Sequence, residues 1–269
     1  MRDVLIAAHR GQKGGNLVEN TLPAFEAALR SGADILETDL KRTQDGVLVL
    51  FHDLDVHRLL PALHGPVRAF TLRELRCWSL NNIIGEPSGS LIATLPEALD
   101  ALRGRCRLNL DQCEDFIAEA WPLITARGMA DQVLFKSAPP FGPVLSQLER
   151  CGWQPQFMPV LRTEEDIAAF RSLPEQVRMP MAELLFDSAD APAFSPDFRR
   201  ELSARGIGIW VNALDLGRFP RDMCAQHNDT VSLLRGPEEG WGWLVRHGAR
   251  VIQTDFISEL RAYLTDPSR

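Results

Sequence analysis

Eight short apolar runs, most of them followed by an amphipathic helical pattern, constrain this chain more than any other feature. They lie at residues 4–8, 35–40, 106–110, 132–136, 157–161, 182–186, 206–211 and 250–254. Strands buried on both faces read as short continuous runs of β-branched and bulky residues. Between them the apolar spacing predicts helices at 21–31, 95–103, 115–127, 141–151, 163–173, 195–205 and 240–247. Thr94 and Thr163 each have an acidic residue three positions on (Glu97, Asp166), the pattern of a capping box. Eight strands alternating with helices predict a closed parallel (β/α)8 TIM barrel rather than an open sheet. The 269 residues suit one such barrel, which typically needs about 250.

Two stretches depart from the repeat. After the turn Gln44-Asp45-Gly46, residues 47–51 read as a strand returning along the second barrel strand. Residues 54–92 then carry prolines and glycines around one short helix at 71–78, and are expected to form a small inserted subdomain above the barrel rim. The second departure, 214–239, is a long connection of low regularity, and long loops in compact domains tend to be functional.

Composition removes several classes of function. A net charge of −7 speaks against a nucleic-acid surface, which needs clustered Lys and Arg. No run approaches the roughly 18 apolar residues that span a bilayer. The N-terminus is too short before its first chemical residue for a removable signal. Five cysteines without a CxxC pair fit reduced thiols in a cytoplasmic protein. The oligomeric state is not legible.

The chemistry concentrates at strand ends. Glu37 and Asp39 are two apart on a strand, so they share a face with Ile35, which would fill the barrel below them. Two carboxylates on one inward face repel unless a cation lies between them. A hard divalent ion (Mg²⁺, Ca²⁺ or Mn²⁺) is the expected resident, and Asp111, at the end of the next barrel strand, the expected third ligand. The competing expectation is one carboxylate paired with Lys41 or Arg42. His9 and His52 each follow an apolar run directly and form the candidate acid–base pair. Arg10 is placed either to grip a phosphate oxygen or to bridge a site carboxylate. Glu19 and Asn20, just before the first helix, are candidate substrate contacts, with a structural cap the alternative for Asn20.

Together His9-Arg10-Gly11, Glu19-Asn20-Thr21, Glu37-Thr38-Asp39, Asp45-Gly46 and His52-Asp53 resemble the glycerophosphodiester phosphodiesterase family. The likeness continues at Thr71–Leu75, at 92–97, in Ile209-Trp210-Val211-Asn212 and in Ile252-Gln253-Thr254-Asp255. The resemblance implies a (β/α)8 barrel in which a divalent metal and two histidines split a phosphodiester beside a polyol. It implies Glu37, Asp39 and Asp111 as metal ligands, His9 and His52 as acid and base, and Arg10 on phosphate. Trp210 would be an apolar wall for the alcohol or polyol.

Two positions depart from the family. Its third metal ligand is usually Glu, whereas here it is Asp111, as in the related sphingomyelinase D enzymes. Its phosphate-binding Lys two residues on is replaced by Cys113. The substrate expected is a glycerophosphodiester or a related sugar phosphodiester, and the missing lysine points away from a plain glycerophosphodiester toward a neighbouring substrate such as a sugar phosphodiester of the opine type. A lyase releasing a cyclic phosphate is the alternative outcome. Lys136, ending the next strand, is the expected replacement cation, its ammonium filling the space above Cys113.

Overall fold

The computed structural model describes residues 4–215 and 223–267. Its elements run β1 (Leu5–His9), α1 (Leu22–Arg30), β2 (Ile35–Arg42), β3 (Leu48–Leu50), α2 (Leu72–Leu75), α3 (Leu95–Leu102), β4 (Arg107–Asp111), α4 (Ile117–Thr125), β5 (Val133–Ser137), α5 (Gly142–Arg150), β6 (Gln156–Leu161), α6 (Glu164–Arg171), β7 (Met181–Leu184), α7 (Pro196–Ala204), β8 (Gly208–Asn212), α8 (Asp229–Leu234), α9 (Trp241–Arg246), β9 (Ala249–Thr254) and α10 (Ile257–Thr265). Each of the eight anticipated strands is present, with ends moved by one or two residues.

Seven parallel pairings link β1, β9, β8, β7, β6, β5, β4 and β2 in that order, and an eighth, β1 to β2, closes the ring. This is a TIM barrel. β3 returns antiparallel along the outer end of β2, pairing Leu40 with Leu50. Outward strand residues pack under the helices as one large core. Inward residues form a second, smaller layer of Ala7, Ile35, Leu134, Met158, Met181, Trp210 and Val251. That layer plugs the barrel, so polar side chains further along the same strands stand on an apolar floor.

Local rules explain the entry to α1. Thr21 is extended and its hydroxyl accepts the Ala24 N–H, while Pro23 sits in the first turn, where its missing N–H costs nothing. Ahead of it, Gly11 has φ +81° and lies so near α1 that a Cβ would meet the Ala24 carbonyl at 3.0 Å. Only glycine allows the loop after β1 to fold this tightly onto the helix. The expected capping boxes at Thr94/Glu97 and Thr163/Asp166 form, and a third at Thr71/Glu74 opens α2.

Residues 54–92 pack Val56, Leu60, Leu75 and Ile92 against Val18, Val49 and Phe51, a cluster separate from the barrel core. The connection 214–239 holds α8, and its residues 216–222 lie outside the described residues. No helix among the described residues is long and apolar enough to cross a membrane. The C-terminal α10 was not anticipated; it buries Ile257, Leu260 and Tyr263 and packs against β1.

Candidate active site

Strand alternation and register assemble three carboxylates at the carboxyl end of the barrel. Glu37 and Asp39 both face inward from β2, and Asp39 is level with Asp111 across the β2–β4 pairing. One ligand oxygen from each of the three lies within 4.8 Å of the others. At that spacing two unit charges repel by about 3–4 kcal/mol for an effective dielectric near 20. Burial and the neighbouring Asp39 push the Glu37 carboxyl well above its ordinary range. Such a cluster calls for a cation, and an all-oxygen donor set fits a hard divalent ion.

The polar groups around the cluster orient the carboxylates without closing it. Asn20 donates to Asp39 Oδ2 and Gln112 Nε2 to Asp39 Oδ1, both at 3.0 Å. The Arg10 backbone N–H donates to Glu37 Oε2 at 3.1 Å, a contact made possible by the left-handed backbone of Arg10 at φ +58°. Neither Lys41 nor Arg42 neutralises Glu37 or Asp39 directly. Lys41 donates to the Gln112 side-chain oxygen, and Arg42 pairs with Glu119 outside the barrel.

Each histidine is backed by an aspartate. His9, level with Glu37 across β1–β2, places Nδ1 3.0 Å from Asp255 Oδ1. Lys13 Nζ lies 2.9 Å from both that ring nitrogen and the Asp255 oxygen; with the proton on Nδ1 the ring donates to Asp255 and Lys13 pairs with the same carboxylate oxygen. Burial lowers the His9 pKa below 6.5 against the opposing pull of Asp255, so the ring is neutral at pH 7. Burial would raise the Asp255 carboxyl, but His9 and Lys13 outweigh it and bring it down to about 2. His52 follows β3 and places Nδ1 2.7 Å from Asp53 Oδ1. Asp53 in turn accepts from Arg58 Nε at 2.5 Å, and Arg58 reaches Glu19 at 2.6 Å. Arg10 holds the same Glu19 oxygen at 3.0 Å. A continuous chain of charges thus joins His52 to the loop that carries Arg10.

Several expectations need correction. Glu19 is held by two arginines, Arg10 and Arg58, and so braces the loop that carries Arg10. Asn20 is 2% exposed; its amide donates to Asp39 and accepts from Thr38, so it orients a carboxylate. The helix cap is Thr21. Trp210 is fully buried in the layer beneath the site, its indole N–H directed at Asn212 and Gln253, so it presents no wall to a substrate. Inward alternation from Asn212 places it one step down the strand. Arg10 combines its two readings. It bridges Glu19, while its buried Nε lies 3.5 Å from Asp39 without a hydrogen bond of its own.

Lys136 does reach Asp111, at 2.7 Å, but it is wedged between that carboxylate and Glu183, 3.2 Å away, and is only 4% exposed. It does not fill a space above Cys113. That thiol points into the barrel–helix layer and donates to the Leu110 and Lys136 carbonyls. Lys136→Met strips a fully buried Glu183 of its cation, and breaking a buried pair costs about 3–5 kcal/mol. Urea unfolding should show a loss of that size; a loss below about 1 kcal/mol would mean that Glu183 is held by other groups, Asn212 among them.

Arg58, Lys13 and Glu183 were not singled out from sequence, and Asp255 entered only as part of the family likeness, without a role. An acidic residue inside an apolar strand, Glu183 in Met181–Leu184, was the one available signal.

The chain is similar to known proteins in sequence and in fold. Residues 9–131 match the glycerophosphoryl diester phosphodiesterase family, and residues 157–264 match a domain of unknown function. A glycerophosphodiester phosphodiesterase of Bacillus altitudinis is 41% identical over 101 residues, 37% of this chain and 40% of that relative. The chain spans about two fifths of the length of the curated relatives it matches. Among solved structures, a glycerophosphoryl diester phosphodiesterase from Parabacteroides distasonis superposes with a TM-score of 0.74 at 23% identity, covering 98% of this chain and 87% of that one. An Oleispira antarctica phosphodiesterase in complex with the product sn-glycerol-3-phosphate gives 0.72 at 19% identity, with 97% of each chain covered. These structural likenesses concern the fold, whereas the sequence match runs through both site histidines and all three carboxylates. The match to the glycerophosphoryl diester phosphodiesterase family thus covers residues 9–131, somewhat less than half of the chain, and holds the strand-end histidines and carboxylates.

Proposed function

We propose that this chain is a metal-dependent phosphodiesterase that cleaves glycerophosphodiesters, or related polyol phosphodiesters, into a polyol phosphate and a free alcohol. The observation that carries the reading is the pairing of a three-carboxylate cluster, two of its members buried, with two aspartate-backed histidines at the same barrel mouth. Glu37, Asp39 and Asp111 would hold Mg²⁺, Ca²⁺ or Mn²⁺. When bound, such an ion draws charge from a phosphate oxygen and lowers the pKa of a nearby hydroxyl.

The side chains supply the rest. Arg10 offers its unpartnered Nε–H to a phosphate oxygen. His9, neutral at pH 7, is the base, with Asp255 fixing its Nδ1–H tautomer so that Nε2 accepts the proton of the attacking hydroxyl. His52, oriented by Asp53, delivers a proton to the departing alkoxide. The family resemblance makes the nucleophile the hydroxyl next to the phosphate on the polyol, with water then opening the cyclic product. The expected end product from a glycerophosphodiester is glycerol phosphate, the species bound in the Oleispira antarctica neighbour.

A substrate pair tests this. Glycerophosphocholine should be turned over, and bis(p-nitrophenyl) phosphate, which has no neighbouring hydroxyl, should not. Equal turnover of both would remove the polyol hydroxyl from the reaction.

A further inference from the structure

A phosphodiester monoanion entering a site of three carboxylates needs cationic partners, and among the described residues five basic side chains stand next to its histidines, carboxylates and their partners. Four are already paired. Arg10 is bound to Glu19, Lys13 to Asp255, Arg58 to Glu19 and Asp53, and Lys136 to Asp111 and Glu183. The fifth is Lys41. Among the described residues it makes no ion pair, and its one hydrogen bond goes to the neutral Gln112 amide.

Its placement follows from strand geometry. Lys41 is two residues beyond Asp39 on β2, on the inward face shared by Glu37 and Asp39, and one step nearer the mouth. Gln112 ties it to the cluster, because the amide donates through Nε2 to Asp39 and accepts through its oxygen from Lys41. The side chain is half-buried; burial lowers the Lys41 pKa, and Asp39, Glu114, Asp111 and Asp53 pull the other way, in favour of the charged ammonium. A positive charge above a carboxylate cluster, bonded only to a neutral amide, is free to exchange that amide for an anionic oxygen. Charge-assisted bonds of that kind are roughly twice as strong as neutral ones.

We propose that Lys41 is the substrate-phosphate cation of this enzyme, held over the metal cluster by Gln112. The role belongs to it rather than to Lys136, whose charge Asp111 and Glu183 neutralise. This inference rests on the proposed phosphodiesterase reading and adds to it the group that holds the phosphate.

The test is calorimetric titration of the Mn²⁺-loaded protein with sn-glycerol 3-phosphate, alongside Mn²⁺ titration of the metal-free protein. Lys41→Met should bind the phosphate ester about 10- to 100-fold more weakly and raise the KM for glycerophosphocholine by a similar factor. Its Mn²⁺ affinity should be no weaker than wild type, because a positive charge has been removed from beside the carboxylates. Lys41→Gln guards against a packing defect in the methionine variant and should behave alike, and Lys41→Arg should restore part of the phosphate affinity. Wild-type phosphate affinity in Lys41→Met and Lys41→Gln, with the parent enzyme active, would overturn the inference and leave the phosphodiesterase reading standing. Loss of Mn²⁺ affinity in both variants would make Lys41 a support of the metal centre instead. A Mn²⁺-loaded parent that neither binds the ester nor cleaves the diester would overturn both.

Discussion

His9→Ala and His52→Ala should each lower kcat by about 100-fold or more, with circular dichroism and unfolding midpoints close to the parent. The size follows from what each ring does in the proposed reaction. One removes a proton that would otherwise stay on an alcohol, and the other supplies one to a poor leaving group. The two variants should differ in their substrate dependence. A diester with a good leaving group, such as glycerol p-nitrophenyl phosphate, needs little protonation at departure, so it should rescue His52→Ala and not His9→Ala. Rescue of His9→Ala instead would exchange the two roles. Near-parental turnover in either variant would remove that histidine from proton transfer. The aspartates behind the rings make the comparison clean, because His9 and His52 contact different partners, Asp255 and Asp53.

Exhaustive chelation should abolish turnover, and Asp111→Asn should weaken divalent-metal binding by at least about 10-fold, since even outer partners of metal ligands cost 10- to 100-fold when removed. Glu114→Gln is the matched control. Glu114 lies close by in sequence, but its side chain accepts from Ser137 and is not part of the cluster. The asparagine variant keeps its fold in this account, because Lys136 retains Glu183 as a partner after losing Asp111. Metal titration and chemical unfolding on the same samples separate the two effects. Full activity after chelation would rule out the metal, and equal losses in the two variants would mean that general negative charge, not ligation, is at work.

The barrel was legible because its eight strands are short apolar runs, and strand periodicity alone also put Glu37, Asp39 and Ile35 on one face. The strand-end positions of His9, His52 and Asp111 were legible because each is a polar residue that ends such a run. What escaped were pairings made across long stretches of chain. His9 meets Asp255 from the opposite end of the chain, at a seam where β1 pairs with β9. Nothing local to either residue marks that contact. Lys136 was placed on the right strand and beside the right carboxylate, yet its charge is cancelled by Glu183, two strands further round the barrel. Trp210 was misplaced by one step of alternation. Its strand pairs Trp210 with Val251 and Asn212 with Gln253, so the indole belongs to the apolar floor and the polar pair above it faces the site. Depth within a barrel depends on stagger between strands, which a single strand's sequence does not carry.

In the proposed reaction this cluster and its two histidines hydrolyse a polyol phosphodiester with the help of a divalent ion. The most direct measurement is a phosphorus NMR time course of glycerophosphocholine with purified protein, run with Mg²⁺, Ca²⁺ or Mn²⁺ and after chelation, with line broadening by Mn²⁺ removed by quenching. The diester signal should fall only with metal present while a phosphomonoester signal grows, with any five-membered cyclic phosphate appearing only in passing. A cyclic phosphate that accumulates as the end product would make the enzyme a lyase, and cleavage that proceeds unchanged without metal would contradict the account at its centre.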